Sequence, residues 1–278
     1  MARVGAIWRY RELLAGLVRK ELKVKYKNSA LGFLWSMLNP ALYLVVFYVV
    51  FVKILRAGIP EFAIYLLSGL LVWNLFSTSL AAATGSVVGN SAIVKKVAFP
   101  REILALASVG AGLVHFFLQA TVLLGALAVF QHAPSLPYMA LLPLALVTLL
   151  LFAAALGVLL AAVNVYARDT EHLLELALLA WFWMTPIVYQ YQLAARGLGE
   201  NTWIYRLNPI TPIVLTFQRA IYNRVCCIPV DNSPILPVGV GPGWYLGHLL
   251  AVAAFSGVLL LVALSVFGRL EGNFAEEL

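Results

Sequence analysis

Residues 103–167 read ILALASVGAGLVHFFLQATVLLGALAVFQHAPSLPYMALLPLALVTLLLFAAALGVLLAAVNVYA, without one Asp, Glu, Lys or Arg. A helix needs about 20 apolar residues to cross a hydrocarbon core about 30 Å thick. The run is too long for one crossing, and Gln131, His132, Pro134 and Pro137 mark a turn within it. It therefore predicts two membrane helices. Working outward, further uncharged runs lie at residues 28–52, 62–94, 176–195 and 232–268. Of the 278 residues 63% are hydrophobic and only 11% charged, with mean hydropathy +0.92. Soluble domains carry about 25% charged residues, so water is not the solvent of most of this chain. The expectation is an all-α integral membrane protein with six transmembrane helices, at 30–52, 62–84, 103–130, 138–166, 176–195 and 244–268.

Thirteen of the nineteen Lys and Arg residues fall on one side if the N-terminus is cytoplasmic: eight from Arg3 to Lys27, then Lys95, Lys96, Arg101, Arg168 and Arg269. Basic residues favour the cytoplasmic side of membrane helices, so both termini are expected there. The opposite side receives Lys53, Arg56, Arg196, Arg206, Arg219 and Arg224. The net charge of +7 borders the spans, which points to a lipid surface and not to nucleic acid. No short apolar core with a small-residue cleavage site follows the basic N-terminus, so no cleaved leader is expected.

The layout is thus a cytoplasmic tail at 1–29, a membrane domain at 30–268 and a second cytoplasmic tail at 269–278. Within the first tail Tyr10, Leu14, Val18, Leu22 and Tyr26 recur every four residues, with Leu13 and Leu17 beside them and cations on the remainder. That pattern predicts an amphipathic interfacial helix, apolar side toward lipid; the plain reading is a basic flank. Residues 196–243 carry Pro209, Pro212, Pro229, Pro234, Pro237 and Pro242, and the uncharged segment 207–218 is too short to span. Re-entrant helices between spans five and six are the natural reading, an extracytoplasmic loop the plain one. Gly85 and Gly89 form a GxxxG pair that permits close helix approach. The adjacent Cys226 and Cys227 fit neither a redox nor a metal motif and read as two thiols.

No ionisable residue other than His115 sits well inside an expected span, and a lone histidine there is more often a packing donor. Ion-coupled transport is therefore disfavoured. No GxxxxGK[ST] phosphate loop is present either, so ATP chemistry would have to come from a separate chain. The segment SAIVKKVAFPREILALA (91–107) could receive it: Lys95, Lys96, Val97, Phe99, Pro100, Arg101 and Glu102 combine cations with an aromatic knob in the coupling loop 91–102. A simple basic loop is the alternative. Asp169 and Glu171 form an Asp-x-Glu pair that either caps the following helix through Asp169 or holds a divalent cation for a membrane glycosyltransferase. Tyr43, Tyr48, Trp73, Trp181, Trp183 and Tyr189 either anchor at the interface or offer flat faces to sugar rings in a lumen.

Several segments together resemble the permease subunits of polysaccharide ABC exporters, which move O-antigen, teichoic acid or mycobacterial galactan on a polyprenyl-diphosphate carrier. They are YKNSALGFLWSMLNP (26–40), IVKKVAFPREIL (93–104), NVYARDTEHLLE (164–175), WFWMTPIVY (181–189), LNPITPIVLTFQRAIY (207–222) and EGNFAEEL (271–278). Ala105 departs from the pattern, standing where many relatives carry a second proline. The resemblance implies a permease homodimer in the inner membrane, two ATPase subunits that bind ATP and Mg, and a channel along the dimer axis. It implies that residues 93–101 contact the ATPase, and that 207–222, with Asn208, Pro209, Pro212 and Phe217, form outer gate helices. A drug exporter of the same architecture and a polyprenyl-phosphate glycosyltransferase remain as alternatives. The heavy use of Ala, Val and Leu suits a GC-rich actinobacterium and makes galactan a candidate glycan.

Overall fold

The computed structural model describes residues 5, 9–27, 32, 34–56, 58–97, 99–225 and 234–278. The expected boundary at residue 29 and the pair Cys226 and Cys227 lie outside the described residues. Among those described, every regular element is helical. In chain order they are α1 Arg11–Tyr26, α2 Leu34–Phe47, α3 Phe62–Gly89, α4 Ser91–Val94, α5 Glu102–Val129, α6 Leu136–Met139, α7 Leu142–Tyr166, α8 Thr170–Trp183, α9 Tyr191–Leu198, α10 Thr202–Arg206, α11 Ile210–Ile221, α12 Pro242–Leu270 and α13 Phe274–Glu277. A π-helical stretch, Tyr48–Ile54, continues α2.

Among the described residues four helical segments are long and apolar enough to cross a membrane: Phe62–Gly89, Glu102–Val129, Leu136–Tyr166 and Pro242–Asn273. They cover the second, third, fourth and sixth expected spans, and the protein is a multi-pass membrane protein. At its centre stands α3, buried on nearly all faces and packed on α5, α7 and α11, while α12 packs along α7. Small residues let these helices meet closely. A Cβ added to Gly157 of α7 would lie 2.8 Å from the Ala83 Cβ of α3, and one on Gly112 of α5 would meet Ser79 Oγ at 1.9 Å. The GxxxG pair contributes differently. Gly85 makes room for the Glu171 carboxylate, and Gly89 faces open space.

Several buried hydroxyls are satisfied within their own helices, which suits an apolar solvent. Thr84 donates to Leu80 O (2.9 Å), Thr148 to Leu144 O (2.8 Å), Thr216 to Pro212 O (2.7 Å) and Ser256 to Val252 O (2.7 Å).

Two segments differ from the sequence reading. The expected helix 176–195 stops at Trp183 and resumes only at Tyr191. Pro186 lacks an N–H and its ring crowds the carbonyl of Phe182, which favours a break here. Other side chains hold the break: Gln218 Nε2 donates to Pro186 O (2.9 Å) and the Tyr65 hydroxyl to Tyr189 O (2.6 Å). Ile187 and Val188, at the break itself, are fully buried. The second difference is α1. Part of its ladder meets protein: Leu17 is buried, and Tyr10, Leu14 and Val18 pack on the core, whereas Leu13 is exposed. Gly110 of α5 admits Val18, Lys20 Nζ donates to Asn90 Oδ1 (2.7 Å), and Ser108 Oγ donates to Glu21 Oε1 (2.8 Å).

Candidate functional site

The residues singled out from the sequence fall into three places. The first is a groove of 510 Å³ among α2, α3, α5 and α8. Its rings form a connected series. Tyr43 stacks on Phe47 (6.0 Å) and Phe47 on Phe182 (6.2 Å); Phe182 meets Trp73 edge-on (5.5 Å) and Trp183 likewise (5.4 Å). Helical spacing produces this. Tyr43 and Phe47 are four residues apart on one face of α2, and Phe182 and Trp183 close the last turn of α8.

Polar groups share the groove without adding cations. Asn74 Nδ2 donates to Gln119 Oε1 at 3.3 Å. The Ser77 and Thr78 hydroxyls donate to the carbonyls of Trp73 and Asn74 one turn back (2.9 and 2.5 Å), so their oxygens remain able to accept. Glu175, largely exposed, is the single acid lining the groove among the described residues. Such a surface can stack on flat apolar faces and exchange hydrogen bonds with neutral hydroxyls.

The groove gathers Tyr43, Trp73 and Trp183 and leaves out Tyr48, Trp181 and Tyr189. Tyr48, on the π-helical stretch, is exposed with Lys53 Nζ 6.0 Å from its ring centroid. Trp181 points into the core, edge-on to Phe76 (5.2 Å) and Phe152 (6.1 Å), and donates from Nε1 to Asn208 Oδ1 at 2.8 Å. The Tyr189 hydroxyl bonds Trp183 O and the Tyr205 hydroxyl, each at 2.8 Å, across the break after α8. Asn74, Gln119, Phe47 and Phe182 were not chosen from the sequence. The signal for the amides was present, because Asn74 and Gln119 are uncharged polar residues deep in apolar runs.

The second place is α11, buried at every position except Arg219. Pro209 and Pro212 fit its first turn, whose N–H groups have no intrahelical partner. Asn208 anchors that end: Oδ1 accepts from Trp181 and from Ile210 N (3.1 Å), and Nδ2 donates to Thr185 Oγ1 (3.0 Å). Phe217 is buried and meets Phe116 of α5 edge-on at 6.0 Å.

The third place is the 91–102 segment. Lys95, Lys96 and Val97 are exposed; Phe99 and Pro100 are half-buried, with Phe99 against the core. Arg101 is half-buried and donates to Glu271 O, and Glu102, in the first turn of α5, is buried. The segment thus has an exposed tip and a rooted base.

Asp169 occupies the N-cap position of α8 but makes no side-chain capping bond. Glu171 instead accepts from Asn164 Nδ2 at 2.7 Å. Among the described residues no group of three His, Cys, Asp or Glu side chains is arranged to hold a metal ion. His115 is buried beside an 80 Å³ cavity that it shares with Glu21, Lys25 and Ser108.

Residues 12–222 match the family profile described as ABC-2 type transporter. The chain belongs to that family. This ABC-2 transporter chain is 33% identical over 275 residues to an O-antigen export system permease protein RfbA of Myxococcus xanthus, covering 99% of the chain and 98% of that protein. It is 30% identical over 267 residues to a protein of the same description from Klebsiella pneumoniae, covering 95% and 94%. As a member of this family the chain is a membrane subunit of a transporter, and the three places just described are its candidate working parts.

Proposed function

We propose that this chain is the permease of an ABC exporter that carries a polyprenyl-diphosphate-linked polysaccharide across the inner membrane. It works as a homodimer with two ATPase subunits, which bind the ATP and Mg. The full-length similarity to O-antigen export permeases carries this reading. The groove supports it: rings, amides and hydroxyl oxygens suit a neutral glycan that must slide. Fixed cations would hold one position too tightly.

In this reading there are six crossings with both termini cytoplasmic. Contacts at the helix ends support that count. α1 bonds to Asn90 and Ser108 at the 91–102 end of the bundle, and Tyr166, which ends α7, bonds Leu270 O at the end of α12. Residues 27–61 and 167–241 must then each traverse the bundle once, the first through α2 and its π-helical extension, the second through α8 and the buried break. The exposed tip Lys95, Lys96 and Val97 engages the ATPase, with Phe99, Pro100, Arg101 and Glu102 as its rooted base. α11, led by Asn208, Pro209 and Pro212 and carrying Phe217, is the re-entrant gate. Tyr43, Trp73 and Trp183 line the route; Tyr48, Trp181 and Tyr189 frame it.

Reconstitution with a partner ATPase subunit tests this. Lipid-linked glycan should stimulate ATP hydrolysis and become enclosed in inverted vesicles. Stimulation by small hydrophobic drugs instead of glycan, or glycan transfer without ATP, would overturn it.

A further inference from the structure

Helix α8 is one wall of the groove, yet little of it is buried. Thr170, Leu174 and Leu178 are covered, whereas Leu173, Leu176, Leu179 and Trp183 are exposed. Two buried leucines hold a helix against a bundle without fixing how it is turned about its own axis, because apolar contact is non-directional. Directed bonds fix that turn. At the far end of α8 the Trp181 indole bonds Asn208. At the near end the bond is made by Glu171, the second acid of the Asp-x-Glu pair.

Glu171 Oε1 accepts from Asn164 Nδ2 at 2.7 Å, and the same nitrogen donates to Thr84 O at 3.1 Å. Two oxygens facing one end of the amide identify that end as the NH₂ group. Asn164 is almost fully buried in α7, so a carboxylate on an exposed residue is tied to a rigid partner. On the other side Gly85 of α3 leaves it space: a Cβ there would lie 3.1 Å from Glu171 Oε1. One carboxylate therefore sits against two helices of the bundle at once.

At about 100° per residue, Glu171, Glu175, Leu178 and Phe182 fall within about 60° of one another around α8, and the last three line the groove. A side chain about 5–6 Å from the helix axis moves about 2 Å when the helix turns by about 20°. We propose that Glu171 is a positioning residue: its bond to Asn164 fixes the rotation of α8, and with it the wall that the groove presents. That the groove carries glycan rests on the proposed function; the pin itself does not.

An acid in the first turn of a helix is also favoured by the helix dipole, whatever it bonds. Two variants separate the roles. Glu171→Asp keeps the charge but falls one methylene short of Asn164. Glu171→Gln loses the charge but keeps the reach, and its amide oxygen accepts from Asn164. The full chain is studied in lipid nanodiscs with Cys226→Ser, Cys227→Ser and Leu179→Cys, the last carrying a nitroxide in the groove wall. Glu171→Asp should alter the nitroxide line shape, and Glu171→Gln should leave it as in the parent. Gly85→Ala crowds the carboxylate from the α3 side and should shift the line shape toward that of Glu171→Asp, although alanine is the better helix former. With the partner ATPase, Glu171→Asp should raise the concentration of lipid-linked glycan that half-stimulates hydrolysis about three- to ten-fold, the worth of a typical hydrogen bond. The KM for ATP should not change. A parent-like line shape in Glu171→Asp, or the same alteration in Glu171→Gln as in Glu171→Asp, would overturn the pin. An altered line shape with an unaltered glycan requirement supports the pin and counts against glycan as the cargo of the groove, so the two readings fail separately.

Discussion

The guanidinium of Arg101 lies 5.8 Å from the ring centroid of Phe274, and the same group donates to Glu271 O. The residue that opens α5 is thereby joined to the turn that follows α12. Phe274 is fully buried and also meets Tyr166 edge-on at 6.0 Å, while the Tyr166 hydroxyl donates to Leu270 O at 2.8 Å. One short C-terminal segment therefore fastens the adjacent ends of α5, α7 and α12. Movement delivered to Lys95 or Lys96 would reach α12 through Arg101.

Arg101→Lys keeps the charge but cannot stack as a planar group. With the ATPase present, this variant should hydrolyse ATP yet export less glycan per ATP than the parent. Tyr166→Phe, which removes a single exposed hydrogen bond, should cost at most about 1 kcal/mol and change the ratio little. Equal falls in hydrolysis and export for Arg101→Lys would instead indicate loss of the assembled complex.

The two tryptophans at the end of α8 should separate cleanly. Trp183 is half exposed in the groove, whereas Trp181 is packed on Phe76 and Phe152 and bonded to Asn208. Trp183→Ala should leave the melting temperature in detergent close to the parent and reduce export of long glycans. Trp181→Phe keeps an aromatic ring but removes one of the two donors to Asn208 Oδ1 and part of the buried indole, and should destabilise by about 1–3 kcal/mol. The reverse pattern in melting and export assays would show that the groove is not the route.

Close packing at the centre makes a rescue experiment possible. Gly157→Ala would place its Cβ 2.8 Å from that of Ala83. Neither atom can rotate away, so the helices must part, at a cost of about 1–3 kcal/mol. Ala83→Gly in the same chain should restore most of the loss, because the two sites share one contact. Additive destabilisation in thermal melts of the double variant would argue against the α3–α7 approach.

Span positions were legible because long uncharged runs have few alternatives, and α3, α5, α7 and α12 fall where hydropathy puts them. The 176–195 segment misled because hydropathy ignores backbone chemistry. Pro186 ends the helix, and Gln218 and Tyr65, far away in sequence, make the break tolerable. The side of α1 that meets protein was invisible for a related reason. An apolar ladder announces a buried face without saying whether lipid or α5 buries it, and Gly110 decides this only in three dimensions. The aromatic residues were legible as a group but not singly. Trp181 and Trp183 look alike in sequence, yet two positions along a helix is a turn of about 200°, which sends one to the core and the other to the groove.

Glu21 yields a pH test of how α1 is attached. Burial raises its carboxyl above the ordinary value, while the Ser108 hydroxyl, Lys20 and Lys25 act in the opposite sense. Lys25 is lowered, chiefly by burial, with Glu21 opposing. A raised carboxyl means that the folded state binds its proton more tightly than the unfolded chain does. The associated stability is complete below the unfolded carboxylate value and is lost as pH rises through the folded one. Lys25 remains charged in the unfolded chain throughout that acidic window and is not the source of the Glu21 component. The melting temperature of the detergent-solubilised protein should therefore contain a component that declines from the ordinary carboxylate range upward. Glu21→Gln should remove that component, since an amide accepts from Ser108 without burying a charge. It should also melt no lower than the parent at neutral pH. A parent-like slope in Glu21→Gln, or a lower melting temperature at neutral pH, would mean that the ionised carboxylate is what holds α1 to α5.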